Sequence, residues 1–230
     1  MIHKYEREMI KVNGCFSLFS IGIHKIKRNK VLIKTSYDDI SIQLLNNEIK
    51  LYFYLCKHKY KFIPHLKNSG IYKNYPYIIM EFIQDKSFVV DKDLINHFFL
   101  ILYKLHILSI VHRDIKPENF LYSTQNKLYI IDFGLSTYFN EGKKLKHMIG
   151  NSYYCSYNCY KEKYSYYYND DILSLIYMLF HLYNNVDTIL DKETKENGSF
   201  FNSYNDEINT SLKSCFFAAK LNKQPHLYNI

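Results

Sequence analysis

The sequence predicts an α+β chain of two lobes, a small β-rich N-lobe over residues 1–84 and a mainly helical C-lobe over 85–230. Short β-branched segments flank one amphipathic helical pattern in the first part, whereas apolar stripes of helical period dominate the second. With 230 residues, of which 47% are hydrophobic, the chain can form one large domain or two small lobes that share a site.

The N-lobe pattern consists of two strands and one helix. The segments V-L-I-K-T (31–35) and Y-I-I-M-E-F (77–82) are short, apolar and β-branched, which predicts strands. Between them, residues 41–58 carry apolar side chains at spacings of three and four, which predicts an amphipathic helix. The first eighty residues therefore indicate a small sheet with one helix.

The C-lobe pattern begins with a helical stripe over 94–108. A nearly all-apolar helix over 172–182 follows later, and a helix that is apolar on all sides is expected to be buried. The remaining predicted segments are strands at 120–122 and 128–132, an irregular stretch from 134 to 169, a polar loop over 184–207 and a last helix over 207–221.

The overall composition limits which cellular compartments and which kinds of partner fit the chain. The formal net charge is +8, but Lys and Arg are spread along the chain, so nucleic acid is an unlikely partner. The five cysteines include no C-x-x-C pair, which disfavours zinc and favours a reducing compartment. The N-terminus has no apolar signal core, and polar residues interrupt the longest apolar stretch, 95–111. We expect an intracellular monomer of the cytoplasm or nucleus, without a membrane span.

Two motifs carry the chemistry. V-H-R-D-I-K-P-E-N-F-L occupies 111–121, and D-F-G follows at 132–134. In this order and at this separation they resemble the signature of protein kinases. The resemblance implies that Asp114 orients the acceptor hydroxyl or takes its proton, and that Asn119 and Asp132 hold Mg²⁺ beside ATP.

Neighbouring residues receive supporting roles from the same resemblance. Lys116 lies between the two catalytic positions and is expected to steady the γ-phosphate of ATP. His112 and Arg113 are expected to have structural roles in the loop that carries Asp114. Asp171 opens the predicted buried helix, where an Asp is also a favourable N-cap, and by resemblance it holds the backbone of this loop.

The upstream half contains a matching ATP-anchoring pair. Lys34 ends V-L-I-K, the position of the ATP-anchoring lysine in the kinase pattern V-A-I-K. Glu48 follows fourteen residues later on the predicted helix. An ion pair between them would fix Lys34 against the α- and β-phosphates.

The phosphate-covering loop departs from the kinase pattern. The pattern G-x-G-x-x-G-x-V falls on Val12, Gly14, Ser17 and Phe19, so only the middle glycine remains. Val12 and Gly14 stay candidate ATP contacts. Glycine allows close backbone approach and unusual φ values, so its loss at two positions is expected to stiffen or displace the loop.

Two segments after D-F-G distinguish this chain from most kinases. In place of the usual A-P-E it has G-N-S-Y-Y-C-S-Y-N at 150–158, and N-D-D-I-L-S-L-I-Y follows at 169–177. Both segments resemble motifs of the casein kinase I family. The resemblance implies a bilobal protein kinase fold with a shortened C-lobe, Ser/Thr specificity, and protein substrates that are acidic or phosphorylated near the acceptor.

The same resemblance implies how adenine is bound. Met80 matches the residue that gates the back of the adenine pocket, and Glu81, Phe82 and Ile83 would form the hinge. One departure bears on substrate choice, because Tyr168-Asn169 stands where the family has a basic pair that binds substrate phosphate.

Two other functions compete with an active kinase. A pseudokinase that serves as a scaffold would explain the altered glycine loop and the short C-lobe, but it has no need for Lys34, Glu48, Asp114, Asn119 and Asp132. A basic nucleic-acid binder rests only on charge and scattered aromatic residues, without a recognisable binding module.

The altered glycine loop leads to a prediction for ATP. Because Val12 and Ser17 replace glycines while the lysine and the metal ligands remain, we expect activity with a raised KM for ATP. Steady-state kinetics with varied ATP measures this. A KM as low as that of protein kinases with three loop glycines would contradict the prediction.

Overall fold

The structure, a computed structural model, describes residues 4–14, 17–139, 144–145, 150–161 and 164–221, and of 7–14 and 144–145 it describes the backbone. The chain divides into two compact units. The first comprises Met1–Lys86 and Leu121–Leu135, and the second comprises Ser87–Phe120 and Ser136–Ile230.

Strands and helices alternate in the first part of the chain, and helices dominate the second. The strands are β1 Tyr5–Gly14, β2 Ser17–His24, β3 Lys30–Thr35, β4 Leu66–Tyr72, β5 Tyr75–Glu81, β6 Ile110–Val111, β7 Phe120–Tyr122, β8 Leu128–Ile130, β9 Thr137–Tyr138, β10 Lys144–Leu145 and β11 Tyr164–Ser165. The α-helices are α1 Asp39–Lys57, α2 Lys92–Ile107, α3 Tyr168–Asn184, α4 Lys192–Asn197 and α5 Glu207–Leu221.

The first unit is built on a five-stranded antiparallel sheet in the order β1-β2-β3-β5-β4. Both predicted strands are confirmed in β3 and β5, which are neighbours and pair Lys34 with Ile78. Their β-branched residues suit the buried middle of the sheet, where Ile33 and Ile79 are fully buried. The pair β7–β8 also belongs to this unit, where Ile130 N–H donates to the Phe62 carbonyl at 2.8 Å.

Helix α1 confirms the predicted amphipathic helix and packs against β4 and β5. Asp38 caps its N-terminus by accepting from Ser41 N–H at 2.7 Å, and the Ser41 hydroxyl accepts from Asp38 N–H in return. The buried face carries Leu45, Tyr52 and Leu55, as the spacing predicts. It also buries Glu48, which a helix surface would not normally bury without a partner.

The second unit is mainly helical. Helix α3 is buried at fourteen of its seventeen positions and packs against α2 and α5, which confirms the predicted buried helix. The prediction that Asp171 opens this helix as its N-cap is wrong, because the helix begins at Tyr168 and Asp171 lies within its first turn. Asp91 caps α2 by accepting from Leu94 N–H at 2.8 Å. No helix in the described part of the chain is both long and apolar enough to cross a membrane.

The polar loop predicted over 184–207 is wrong in part, because it contains α4 and a 3-10 turn at Ser199–Phe201. Asp191 caps α4, and Gly198 ends it in the left-handed region with φ 75°. The segment is held by buried residues, among them Leu190, Phe200 and Phe201. A six-residue helix is too short to show a helical period in the sequence.

Candidate active site

In the first unit, one lysine ammonium is shared by two carboxylates. Lys34 extends from β3, and its Nζ lies 2.6 Å from Glu48 Oε2 on α1 and 3.0 Å from Asp132 Oδ1. The side chains of Lys34 and Glu48 are 3% and 1% exposed, whereas that of Asp132 is 40% exposed. The Glu48 carboxylate is therefore buried, whereas the Asp132 carboxylate is partly exposed to solvent.

Burial and charge act against each other in this group. Burial alone would lower the pKa of Lys34, but the charges of Glu48 and Asp132 outweigh it and raise that pKa above its ordinary value. Burial raises the pKa of Glu48, and the attraction of Lys34 offsets part of that effect. A lysine held this way keeps its positive charge at neutral pH, which suits binding of a phosphate.

The segment 132–134 is fixed by α1 through contacts that the sequence did not reveal. Asn47 Nδ2 donates to the carbonyl oxygens of Phe133 at 3.3 Å and Gly134 at 2.9 Å. The rings of Tyr52 and Phe133 meet edge to face, with centroids 5.9 Å apart. Asp132 has φ 62°, an uncommon backbone for a non-glycine residue, and these contacts help to maintain it.

The predicted glycine-loop residues lie on the same sheet as Met80 and Glu81, whereas Phe82 and Ile83 follow the end of β5. Val12 pairs with Phe19, and Gly14 with Ser17, across β1 and β2. The Phe19 ring centroid lies 5.4 Å from Lys34 Nζ, within cation–π range.

Met80 is buried in β5, which lies between β3 and the edge strand β4. Glu81 and Phe82 line a cavity of about 600 Å³, whereas Ile83 is not among its lining residues. The cavity is also lined by Asn29, Lys30, Lys67 and Gln84.

In the second unit, a second cluster forms around Asp114. Its Oδ2 accepts from Asn119 Nδ2 at 2.9 Å and lies 2.8 Å from Lys116 Nζ. Its Oδ1 accepts from Asn151 N–H at 3.1 Å. Gly150 has φ 100°, and a Cβ there would overlap the carbonyl oxygen of Arg113, so this turn requires glycine. The carboxylate is thus oriented from three directions.

Asp171 fixes the backbone just before Asp114. Its carboxylate is fully buried and accepts from the N–H groups of His112 at 2.7 Å and Arg113 at 2.9 Å. It also accepts from the Tyr166 hydroxyl at 2.9 Å and lies 3.0 Å from His106 Nε2. Burial favours the protonated acid, but the hydrogen bond and charge of His106, with the other donors, hold the pKa of Asp171 below its ordinary value. Arg113 has φ 70°, a conformation these bonds support.

The residues expected to bind metal fit a hard cation in their chemistry. Asn119 directs its amide nitrogen at the Asp114 carbonyl oxygen and carboxylate, at 2.7 and 2.9 Å, so its amide oxygen remains as a ligand atom. The half-exposed carboxylate of Asp132 supplies oxygen ligands in the first unit. Oxygen donors of this kind suit Mg²⁺. Across the described residues, three or more His, Cys, Asp or Glu side chains nowhere form a metal-binding group.

The structure therefore brings the predicted residues together in two sets. Lys34, Glu48 and Asp132 form one set within the first unit. Asp114, Lys116 and Asn119 form the other within the second, with His112, Arg113 and Asp171 behind them. The sequence did not identify four supporting residues. Asn47 holds the backbone that follows Asp132, and Asn151 contacts Asp114. His106 and Tyr166 contact Asp171.

Comparison with known proteins gives a consistent result. Residues 13–214 match the family described as protein kinase domain. Over 132 residues, 55% of this chain and 22% of the relative, the sequence is 34% identical to calcium-dependent protein kinase 22 of Arabidopsis thaliana. Over 54 residues, 22% of this chain and 10% of each relative, it is 54% identical to calcium-dependent protein kinase 4 of Plasmodium berghei and of Plasmodium falciparum. The matches thus span about a fifth or less of these curated relatives.

The contacts of Asn47 lead to a prediction. Asn47→Ala leaves the carbonyl groups of residues 133 and 134 without this donor and loosens the backbone that presents Asp132. The expected result is about a tenfold weaker affinity for MgATP, the size of one lost hydrogen bond to partly buried groups. Calorimetric titration measures it. Asn46→Ala, at the exposed neighbouring position, is the matched control, and equal losses in both variants would contradict the assignment.

Proposed function

This chain belongs to the protein kinase domain family, and we propose that it transfers the γ-phosphoryl group of ATP to serine and threonine hydroxyls of proteins. The observation that carries the proposal is the buried contact of Lys34 with Glu48 at 2.6 Å. The Lys34 ammonium also lies 3.0 Å from Asp132. A nucleotide-binding site requires a lysine fixed in this way, whereas a scaffold does not require a buried ion pair at this position.

The residues divide the reaction between binding and proton transfer. Lys34 neutralises charge on the ATP phosphates, held in place by Glu48. The acceptor hydroxyl attacks the γ-phosphorus, the bond to the β-phosphate oxygen breaks, and Asp114 takes the hydroxyl proton. Lys116, at 2.8 Å from Asp114, supplies positive charge beside the transferring group. Asn119 in the second unit and Asp132 in the first would each offer an oxygen ligand to Mg²⁺, which when bound would neutralise charge on the phosphate oxygens.

Casein kinase I-like specificity is the finer part of the proposal. Its support is the segment 156–158, which stands in place of A-P-E and is joined to α3 by a bond of 2.9 Å from Asn158 Nδ2 to Asp170 Oδ1. Burial raises the pKa of Asp170 to about 6, so above that pH the carboxylate is ionised and accepts this bond. Acidic protein substrates fit the net charge of +8.

A preference for phosphorylated substrates has weaker support. Tyr168 and Asn169 are buried, so the positions of the family's basic pair present no cation to solvent. Lys161 is exposed but donates to Asn158 Oδ1 at 2.7 Å. Three more lysines near this position in the sequence could bind a substrate phosphate, but their side chains lie outside the described residues: Lys143, Lys144 and Lys146. Acidic acceptors are therefore the better first choice in an assay.

Calcium dependence, which the names of the relatives state for those proteins, is not part of the proposal. An EF-hand loop has an Asp five residues before its central glycine. None of the seven glycines in this sequence follows an Asp at that spacing. The 230 residues therefore contain no loop of that pattern.

The second candidate function is a scaffold with weak or no catalysis. The observation in its favour is the glycine loop, where Val12 and Ser17 replace glycines in strands β1 and β2. It predicts a folded protein that binds nucleotide poorly or transfers no phosphate.

An assay with casein separates the two functions. Purified protein is incubated with Mg²⁺, labelled ATP and casein, beside the variants Asp114→Asn and Asp132→Asn. The proposal predicts label on serine and threonine of casein and a loss of about 10³-fold in each variant, because proton transfer and charge stabilisation contribute on that scale.

Asp93→Asn is the matched control, because Asp93 is exposed on the first turn of α2, and this variant should keep parental activity. Label on phosphotyrosine alone would contradict the Ser/Thr assignment. An inactive parent that remains folded would favour the scaffold. Phosphate transfer that persists in both aspartate variants would show that the activity comes from a contaminant.

A further inference from the structure

Two buried cysteines lie four residues apart at the end of the segment that orients Asp114. Cys155 and Cys159 are 6% and 5% exposed and belong to one core cluster with Val111. The thiol of Cys159 hydrogen-bonds to the sulfur of Cys155, and Cys159 Sγ also lies 3.1 Å from the Tyr164 hydroxyl. The proposed phosphoryl transfer uses neither sulfur.

Three side chains converge on the carbonyl oxygen of Ser152 beside this pair. In its protonated form the Cys155 thiol donates to it at 3.4 Å, Lys195 Nζ donates at 3.1 Å and the Tyr160 hydroxyl at 3.3 Å. The sulfur and the ammonium are therefore close neighbours around one oxygen atom.

Lys195 is a buried lysine without an acidic partner in the part of the chain that the structure describes. Its side chain is completely buried between the rings of Tyr160 and Tyr177, each 5.5 Å from Nζ. Within the described residues, no Asp or Glu side chain forms an ion pair with it. Buried charges are normally paired. Burial lowers the pKa of Lys195, and the negative charge of an ionised Cys155 acts against that effect.

Local groups favour that thiolate. The hydrogen bond from Cys159 lowers the pKa of Cys155 to about 6 against the effect of burial, and Lys195 and Tyr160 act in the same direction. The other titratable groups that face the pair are Tyr164, Tyr166, Tyr168, Asp170 and Tyr177. The same bond raises the pKa of Cys159, so of the two sulfurs Cys155 is the one that ionises more readily, with a second thiol in hydrogen-bond contact.

Backbone bonds connect this cluster to the proposed catalytic carboxylate. Cys155 N–H donates to the Asn151 carbonyl at 2.9 Å. Asn151 N–H in turn donates to Asp114 Oδ1 at 3.1 Å. A covalent change at Cys155 therefore acts on the turn that orients Asp114.

We propose that Cys155 and Cys159 form a peroxide-sensitive dithiol, and that its reversible oxidation to a disulfide displaces the 151–155 turn and lowers phosphoryl transfer. The disulfide step stands independently of catalysis, and only its effect on activity rests on the proposed function. Lys195 is a positioning residue for the thiolate.

The chemistry balances with a hydroperoxide as the oxidant. The thiolate of Cys155 attacks one peroxide oxygen, the O–O bond breaks, and a sulfenic acid and hydroxide form, the latter taking up a proton as water. The sulfur of Cys159 then attacks the sulfenic sulfur, loses its proton, and releases a second water as the S–S bond forms. Two electrons pass from the sulfur pair to the peroxide.

Peptide mapping tests the disulfide directly. The full chain is treated with hydrogen peroxide, remaining thiols are alkylated, and tryptic fragment 147–161, which contains both cysteines and no others, is weighed. The expected result is loss of two hydrogens and no alkylation of that fragment, both reversed by dithiothreitol. A fragment that keeps two alkylatable thiols while exposed Cys56 is oxidised would overturn the proposal.

Variants separate the steps. In Cys159→Ser, dimedone should trap a sulfenic acid at Cys155, and in Cys155→Ser the fragment should resist oxidation.

Lys195→Met should shift the pH midpoint of Cys155 alkylation upward, whereas Lys195→Arg should keep it near that of the parent. Equal midpoints in the parent and a folded Lys195→Met would remove Lys195 from the proposal, and an unreactive Cys155 in Cys159→Ser would overturn the proposed order of steps.

Activity is measured on the same samples. Oxidation should lower transfer to casein about tenfold, since small displacements of a catalytic group have effects of that size, and dithiothreitol should restore it. Cys56→Ser should respond like the parent, and Cys155→Ser should keep its activity in peroxide. Equal peroxide sensitivity of Cys155→Ser and the parent would overturn the regulatory effect. A disulfide that forms in a protein inactive from the start would support the dithiol and contradict the proposed kinase function.

Discussion

A lysine ammonium and a glutamate carboxylate, both excluded from water, meet at 2.6 Å between β3 and α1. Either group alone would be costly to bury, and removing one partner from such a pair leaves an uncompensated charge. The pair therefore links the register of β3 to the position of α1. Because Lys34 also contacts Asp132 at 3.0 Å, the same interaction fixes the segment that follows β8.

In the second unit, too, a buried carboxylate holds neighbouring groups in position. The carboxylate of Asp171 is fully buried, and its hydrogen bonds to the backbone of His112 and Arg113 hold a turn that would otherwise be unfavourable. Asp114 follows immediately and is oriented by Asn119 and Lys116. In both units, then, a buried carboxylate positions a group that is available for chemistry.

The sequence predicted the residues whose roles depend on local pattern and spacing. The strand 31–35 and the helix 41–58 were visible because their apolar residues follow the periods of a strand and a helix. Asp114 and Asp132 were singled out because their motifs are specific, and their catalytic roles stay predictions. Helix α4 was missed because six residues are too few to show a period, and Gly198, which ends it, looks like any loop glycine.

Other contacts could not be read from the sequence because tertiary packing decides them. Asn47 looks like an ordinary polar helix residue until its side chain is seen to reach the carbonyl of Gly134, 87 positions away. Likewise, Lys195 looks like a solvated lysine in a charged segment, yet it is completely buried. Burial of polar groups depends on partners that are distant in sequence, and a periodic pattern does not identify them.

The central claim is that Lys34 and Glu48 act as one unit to anchor ATP, and a double-mutant cycle on MgATP affinity tests it most directly. Calorimetry would compare the parent with Lys34→Met, Glu48→Gln and the double variant, each checked for folding. The account predicts that Glu48→Gln weakens binding in the parent but adds almost nothing in the Lys34→Met background. Independent, additive losses would contradict it.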